Sequence, residues 1–276
     1  MDLDLTSVHI LVTGAAGGIG ISTVREFLRH GALVTAQYRS SRASLDAAFP
    51  DEIKEGRVQC LAADVRREEE VEKLFNEAEK GMGKPVAVLI VNHAIYESTP
   101  APMHEMSLAQ WNNTLETNLT GGFLVVRQFL RRLVEVREKQ GEGSEALRNV
   151  AVVFVGSTAG EFGEALHADY AASKSALTHG LQLSLKNEIV RTVHPRARVN
   201  TVAPGWVRTK MAEESMRDEG VRYQAMATTP LNKIAEPEEV AIQIAFLASH
   251  RVAGHTTGQV IMVHGGMEGR LLNSRP

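Results

Sequence analysis

The chain has 276 residues, of which 43% are hydrophobic and 23% charged, and its formal net charge is −3. This composition is typical of one large globular domain and excludes a strongly basic surface for nucleic acid. The apolar runs are too short to cross a bilayer and the single cysteine excludes an internal disulfide, so we expect a cytoplasmic protein that binds neither membranes nor nucleic acid.

Short runs rich in Val, Ile and Leu alternate with longer amphipathic stretches along the chain. Helical patterns such as 20–30 and 67–80 fill the intervals between these runs. The alternation predicts an α/β protein, a three-layer doubly wound Rossmann fold with a seven-stranded parallel sheet. The predicted strands are 8–13, 32–38, 57–63, 86–91, 150–155, 197–203 and 259–263.

The first predicted strand is followed directly by TGAAGGIG at 13–20. Gly14, Gly18 and Gly20 stand where the chain turns from strand into helix, so a tight turn and the close approach of a pyrophosphate are allowed. The N-terminus of the following helix would face that negative charge. A plain glycine-rich turn is the alternative, but the position between strand and helix favours dinucleotide binding.

The end of the second strand, QYRSSR at 37–42, indicates which dinucleotide is bound. NAD sites place an acid here to accept from the ribose hydroxyls, and this segment has none. Arg39 could instead bind a 2′-phosphate bidentately, with Ser40 and Ser41 as further donors. An exposed basic loop is the alternative. We expect NADP(H) to be favoured over NAD(H).

The third predicted strand ends in AADV at 62–65. Asp64 either accepts from the adenine amino group or caps the next helix, and the sequence does not separate the two. Cys60 lies in the apolar part of this strand and is expected to be a buried, unreactive thiol. Farther along, the charged segment 135–149 is expected to be a helix end and a surface loop, with a partner-binding insertion as the alternative.

The stretch 169–177, DYAASKSAL, places Tyr170 and Lys174 one helical turn apart, on the same face of a helix. A chance pairing is the alternative for these two residues taken alone. An ammonium about 4 Å away could contribute roughly 4 kcal/mol, enough to lower the pKa of the phenol by as much as ~3 units. Tyr170 is therefore expected to transfer a proton, with Lys174 making it more acidic.

Taken in order, these motifs resemble the short-chain dehydrogenase/reductase family from residue 8 to about 267. One departure follows the fourth strand, where the family's usual Asn-Asn-Ala-Gly is replaced by Asn92-His93-Ala94-Ile95. Ile95 adds bulk beside the expected cofactor site, which weakens inference about the substrate by analogy. The matching segments are TGxxxGIG at 13–20, Asp64, VNHA at 91–94, Asn118 in ETNLTGG, Ser157 in FVGSTAG, Tyr170-x-x-x-Lys174 and APGWVRT at 203–209.

The resemblance implies a catalytic set and a cofactor set. Tyr170 would donate the proton, and Lys174 would also hold the nicotinamide ribose. Ser157 would stabilise charge on the substrate oxygen, and Asn118 would position a water that links Lys174 to solvent. Taken singly, Ser157 could form a turn, Asn118 could be a polar break in a helix, and Lys174 could be a solvated charge. The implied cofactor residues are Gly14, Gly18, Ile19, Gly20, Arg39, Ser40, Asp64, Val65, Asn92, Tyr170, Lys174, Pro204, Gly205, Val207 and Thr209.

The segment 206–232 is expected to be a substrate lid within a single catalytic domain, 1–276. Its methionines could adapt to a bulky apolar ligand, although an amphipathic helix packed on its own domain is the alternative. His93 could be a structural histidine as readily as a substrate contact. No cluster has metal-ligand spacing, so no catalytic metal is expected. The predicted substrate contacts are His93, Tyr96, Trp206 and Met211.

The sequence therefore predicts an NADPH-dependent oxidoreductase that reversibly reduces a bulky, apolar or cyclic ketone to a secondary alcohol. One alternative keeps the fold but runs a non-redox reaction such as epimerisation. Another is a dinucleotide-binding protein without turnover. By analogy with the family, helices that include 107–134 and 170–190 would form a homodimer or homotetramer. The tail 268–276 either crosses to a neighbouring subunit or is frayed.

Overall fold

The computed structural model describes residues 2–97 and 99–267. Within them, seven parallel strands form one sheet in the order β3-β2-β1-β4-β5-β6-β7. Each strand lies within two residues of a predicted run, so the predicted doubly wound sheet is confirmed. The strands are β1 (His9–Val12), β2 (Leu33–Tyr38), β3 (Val58–Ala62), β4 (Val88–Val91), β5 (Ala151–Val155), β6 (Arg198–Pro204) and β7 (Val260–Val263).

Helices cover both faces of the sheet. Two π-helical segments, Glu116–Thr120 and Ala176–Leu181, each join two successive α-helices. The α-helices are α1 (Gly18–Arg29), α2 (Ala43–Ala48), α3 (Pro50–Lys54), α4 (Glu68–Met82), α5 (Leu108–Leu115), α6 (Gly121–Gln140), α7 (Thr158–Phe162), α8 (Ala168–Ser175), α9 (Gln182–Thr192), α10 (Lys210–Ser215), α11 (Glu219–Ala227), α12 (Pro237–Ala248) and α13 (His250–Ala253).

The core lies in two layers, one on each face of the sheet. Successive residues of β1 point to opposite faces, so Ile10 and Val12 pack in one layer and Leu11 in the other. Phe27 of α1 belongs to the first layer and Phe129 of α6 to the second, and both are fully buried. Burial on both faces explains why the central strands are continuously apolar.

The charged segment 135–149 is the end of α6 followed by a loop, as predicted. The loop contains a short 3-10 turn, Glu145–Leu147, and Leu147 anchors it in the core with no exposed surface. Across the part of the chain that the structure describes, no helix combines the length and apolar character needed to span a membrane.

The topology determines where a ligand can bind. Strand β1 lies between β2 and β4. From β1 the chain adds β2 and β3 on one side of the sheet and then crosses to add β4 on the other, so its winding reverses between β1 and β4. Open α/β sheets bind ligands at the carboxyl ends of the strands on either side of such a reversal. The segments that follow β1, β4, β5 and β6 meet at this edge.

Candidate active site

The loop between β1 and α1 leaves room for backbone alone. Gly14 has a φ of +61°, and a Cβ at this position would lie 2.8 Å from the Cα of His93. A Cβ on Gly20 would lie 2.5 Å from the carbonyl oxygen of Gly14. Both positions therefore require glycine, as the sequence predicts.

Polar contacts from the neighbouring strands hold this glycine turn. The N–H of Gly14 donates to Gln37 Oε1 at 2.8 Å, and Gln37 Nε2 donates to the Ala63 carbonyl at 2.7 Å. Asn92 Nδ2 donates to the carbonyl oxygens of Thr13 and Gly14, both at 3.0 Å. Asn92 therefore supports the turn from behind, through the end of β4.

The N-terminus of α1 suits the pyrophosphate of a dinucleotide. Its N-cap is Gly17, no side chain caps it, and its first turn contains no acid. Its backbone N–H groups and the positive end of the helix dipole therefore remain for an anion. The segment after β6 covers the same turn, because a Cβ on Gly18 would lie 2.9 Å from Thr209 Cγ2. These features fit the predicted cofactor.

Arg39 and Ser40 are exposed at the end of β2, beside the glycine turn. Arg39 forms no hydrogen bond or ion pair with any other residue in the described ranges. Arg42, three residues later, is held by Asp46 through contacts of its Nε and Nη2 with the carboxylate. Arg39 is thus an available cation where the sequence predicts a 2′-phosphate.

Asp64 pairs with a neighbour. Its carboxylate accepts from Arg66 Nε at 2.9 and 3.1 Å, and these guanidinium hydrogen bonds lower the pKa of Asp64 to about 2. The N-cap of α4 is Arg67, so the helix-capping alternative for Asp64 is wrong. The next residue, Val65, is buried against Gly121, where a Cβ would lie 2.9 Å from Val65 Cγ2.

The predicted Ser–Tyr–Lys set comes together at the carboxyl end of β5. Lys174 Nζ donates to the Val155 carbonyl at 2.8 Å and lies 5.7 Å from the centroid of the Tyr170 ring. Ser157 hydrogen-bonds the phenol of Tyr170. Its Oγ also accepts from the N–H of Ala159 at 3.1 Å, as the N-cap of α7. Ser157 therefore forms a turn and faces the Tyr170 phenol.

Asn118 fixes the loop after β4 to α8. It is fully buried in the first π-helical segment, where its Oδ1 accepts from the Ile95 N–H at 2.8 Å. Its Nδ2 donates to the Ile95 carbonyl and to Ser173 Oγ, both at 3.0 Å. Ser173 in turn donates to the Tyr170 carbonyl at 2.8 Å. Because protein groups occupy both amide N–H donors of Asn118, its side chain positions the Tyr170 helix and has no N–H left for a water.

Burial shifts the pKa of both members of the Tyr–Lys pair. It raises the pKa of Tyr170 to about 12, although the hydrogen bond with Ser157 acts in the opposite direction. It lowers the pKa of Lys174 to about 8. In the chain alone the net shift of the Tyr170 pKa is therefore opposite to the predicted one, because the loss of hydration outweighs the hydrogen bond with Ser157. Tyr170 keeps its proton at neutral pH.

His93 is buried behind the glycine turn. Its Nδ1 lies 2.8 Å from Thr13 Oγ1, and its Nε2 has no hydrogen-bond partner in the part of the chain described. Burial, assisted by the charge of Lys174, lowers the pKa of His93 to about 4, so the ring is neutral. These contacts favour the structural alternative for His93 over a substrate contact.

The other predicted substrate residues are dispersed. Tyr96 contacts Tyr170, and its ring lies edge-on to that of Tyr170 with centroids 5.0 Å apart. Trp206 instead lines a cavity of about 480 Å³ with Leu231 and His264, and none of the four predicted catalytic residues lines that cavity. The side chain of Met211 lies outside the described residues.

Glu164 and His167 both contact Tyr96, and neither was predicted from the sequence. The Tyr96 hydroxyl donates to Glu164 Oε1 at 2.9 Å, and its ring stacks on that of His167 with centroids 4.3 Å apart. The available signal was position, since both are polar residues in the short interval between Ser157 and Tyr170.

No group of three or more His, Cys, Asp or Glu side chains within 2–97 and 99–267 could hold a metal ion.

Comparisons with known proteins identify relatives over nearly the whole chain. The family model described as enoyl-(acyl carrier protein) reductase matches residues 14–268. The chain is 34% identical to cis-4-hydroxycyclohexanecarboxylate dehydrogenase of Sinomonas cyclohexanicum, over 93% of this chain and 94% of that protein. It is 31% identical to a 3-oxoacyl-[acyl-carrier-protein] reductase of Thermotoga maritima, over 93% of this chain and 96% of that one. A Brucella melitensis crystal structure, titled short-chain dehydrogenase/reductase and glucose/ribitol dehydrogenase, matches with a TM-score of 0.82 at 29% identity, covering 96% of this chain and 98% of that one.

Proposed function

The chain belongs to the short-chain dehydrogenase/reductase family of NAD(P)-dependent oxidoreductases, and we propose that it uses NADPH to reduce a bulky or cyclic ketone to a secondary alcohol. The observation that supports this most strongly is the half-buried Tyr170 beside Ser157 and the buried Lys174, at the sheet edge that also holds the glycine turn. The reverse oxidation of the alcohol uses the same groups.

Each residue of the set has a chemical role in this reaction. The bound cofactor would supply the hydride. Tyr170 would donate its phenolic proton to the carbonyl oxygen, and a pKa of about 12 ensures that this proton is present at neutral pH. Ser157 would donate a hydrogen bond to the same oxygen and stabilise its developing negative charge. Lys174 Nζ, whose pKa is about 8, is charged at neutral pH and would hold the nicotinamide ribose.

A ring-containing substrate is supported by the surroundings of Tyr170. Tyr96 and His167 present stacked rings beside it, and flat apolar surfaces of this kind pack well against a cyclic ligand. One relative is named for a cyclic substrate, cis-4-hydroxycyclohexanecarboxylate. Helices α10 and α11, within the segment 206–232, would form the lid.

The choice of NADP(H) is supported by Arg39, which is exposed beside the glycine turn and forms no hydrogen bond or ion pair with the other described residues. Arg39→Ala should lower the ratio of kcat/KM with NADPH to kcat/KM with NADH by roughly tenfold or more, because a charge-assisted hydrogen bond to phosphate is lost. The ratio is measured from the absorbance of the reduced nicotinamide with a panel of cyclic ketones.

Arg42→Ala is the matched control, since it removes a nearby guanidinium that Asp46 already holds, and the ratio should stay within about twofold of wild type. An unchanged ratio in Arg39→Ala would remove Arg39 from the proposed role.

The same assay distinguishes ketone reduction from the two alternative functions. A product isomer formed without net use of NADPH indicates a non-redox reaction, and NADPH binding without oxidation across the panel indicates a protein without turnover.

A further inference from the structure

Tyr96 separates the reacting phenol from a carboxylate. One edge of its ring lies against Tyr170, with centroids 5.0 Å apart, and its hydroxyl donates to Glu164 Oε1 at 2.9 Å. His167, which is buried, stacks on the same ring at an interplanar angle of 27° and fixes its orientation. Glu164 is therefore held one aromatic ring away from the atom that gives the proton.

The carboxylate of Glu164 lacks a cationic partner. No Lys, Arg or His among the described residues forms an ion pair with Glu164, and Tyr96 is the one side chain there that donates to it. Its Oε2 accepts no hydrogen bond from these residues, yet Glu164 is half-buried. Burial also raises the pKa of this carboxyl. A half-buried carboxylate with a free oxygen beside a catalytic group can accept a hydrogen bond from a ligand.

The chemistry of a carboxylate defines that ligand group. An ionised carboxylate only accepts hydrogen bonds, so its partner must present an O–H or N–H. An anionic group on the substrate would be repelled. An ammonium would add a second cation to a site that already holds the buried Lys174, 5.7 Å from the centre of the Tyr170 ring. A neutral hydroxyl fits both charges.

We propose that Glu164, held by Tyr96, binds a second hydroxyl group of the substrate, so that the enzyme prefers hydroxyl-bearing cyclic ketones to their unsubstituted counterparts. This inference rests on the proposed ketone reduction and refines it. The apolar substrate expected from the sequence is replaced by one with a polar group on the side of the ring that faces Glu164.

A matched pair of ketones tests the proposal. With NADPH, kcat/KM for 4-hydroxycyclohexanone should exceed that for cyclohexanone by about tenfold or more. Glu164→Leu should reduce this ratio to near one, and Glu164→Gln, which can still accept from Tyr96, should give an intermediate value. Tyr96→Phe should lower the ratio because it frees the carboxylate. Glu161→Gln, which changes an exposed glutamate one turn away on α7, should leave the ratio and the rates unchanged.

Binding gives a readout that does not depend on turnover. In the NADPH-loaded protein an alcohol is not oxidised, so calorimetry can compare 1,4-cyclohexanediol with cyclohexanol. The diol should bind about tenfold more tightly to wild type, which corresponds to about 1.4 kcal/mol, and equally to Glu164→Leu. If no ketone is reduced but this difference is found, the proposed reaction fails and the role of Glu164 stands. If ketones are reduced but Glu164→Leu and Tyr96→Phe both keep the wild-type preference, the role of Glu164 is overturned.

Discussion

Lys174 is an ammonium with almost no access to water. Its exposed fraction is 2%, and among the described residues its Nζ donates to the Val155 carbonyl alone. Burial lowers its pKa from 10.5 to about 8, which means that the charged form is less stable inside the protein than in the unfolded chain. The same burial strengthens its interaction with any group bound beside it, because water no longer screens the charge. Burying the ammonium therefore lowers the free energy of unfolding and makes its charge more effective toward a bound group.

A pH titration of stability tests this account of Lys174. Its pKa is lower in the folded chain, so between pH about 8 and 10.5 the unfolded chain binds more protons and the free energy of unfolding rises with pH. Relative to Lys174→Met, wild type should gain up to about 3 kcal/mol across this window. Urea denaturation of both proteins at pH 7, 9 and 10.5 measures the difference. Lys73→Met removes an exposed ammonium and is the control, and a difference between wild type and Lys174→Met that stays constant with pH would contradict the account.

The spacing of residues in the sequence indicates which side chains share a face, but it does not indicate how far water reaches them. Tyr170 and Lys174 could be paired from their four-residue spacing, whereas the direction of their pKa shifts depends on burial by the whole fold. Glu164 illustrates the same limit. Its contact with Tyr96 joins residues 68 positions apart, and no local pattern marks it.

At the scale of elements, two π-helical segments set the geometry of the site. A π-helical turn inserts a residue into a helix and changes the direction of the side chains that follow. Asn118 lies in the first such segment, where it reaches both Ile95 and Ser173. The i, i+4 spacing of Leu177, Leu181, Leu185 and Ile189 indicates a helix over 170–190. Nothing in that apolar spacing reveals the π-helical segment Ala176–Leu181.

The glycine turn gives a prediction at this scale. Gly20→Ala should lower the free energy of unfolding by about 1–3 kcal/mol and weaken NADPH binding, because the new methyl would lie 2.5 Å from the Gly14 carbonyl oxygen. Gly17→Ala is the matched control for stability. Its methyl would meet that oxygen at an ordinary 3.5 Å, and its φ of −81° is open to alanine. Urea denaturation of the two variants measures the difference, and equal stabilities would mean that the turn is not close-packed.

At the scale of the whole molecule, the strands and their parallel arrangement could be predicted because burial on both faces leaves unbroken apolar runs, as in VAVLIV and VAVVFV. The glycine turn and the Ser–Tyr–Lys set could be placed because they follow strand ends, which meet at one edge of any such sheet. The position of Trp206 could not be predicted, because amphipathic segments such as 206–232 can pack in several ways. In the structure this residue lines a separate cavity. The dimer or tetramer and the cytoplasmic location stay predictions.

The topology places Arg39 and Tyr170 on opposite sides of the strand reversal. The glycine turn and Arg39 follow β1 and β2, whereas Tyr170 lies on α8, beyond β5 on the other side of the strand reversal. Loss of the phenol hydroxyl should therefore affect proton transfer far more than cofactor binding.

The most direct test of the central claim is the rate of ketone-dependent NADPH oxidation by Tyr170→Phe, with NADPH binding followed by nicotinamide fluorescence in the same preparation. If Tyr170 gives the proton, kcat should fall by roughly 10²–10⁴-fold while the Kd for NADPH stays within a few-fold of wild type. A variant that binds NADPH normally and keeps most of its rate would contradict the account.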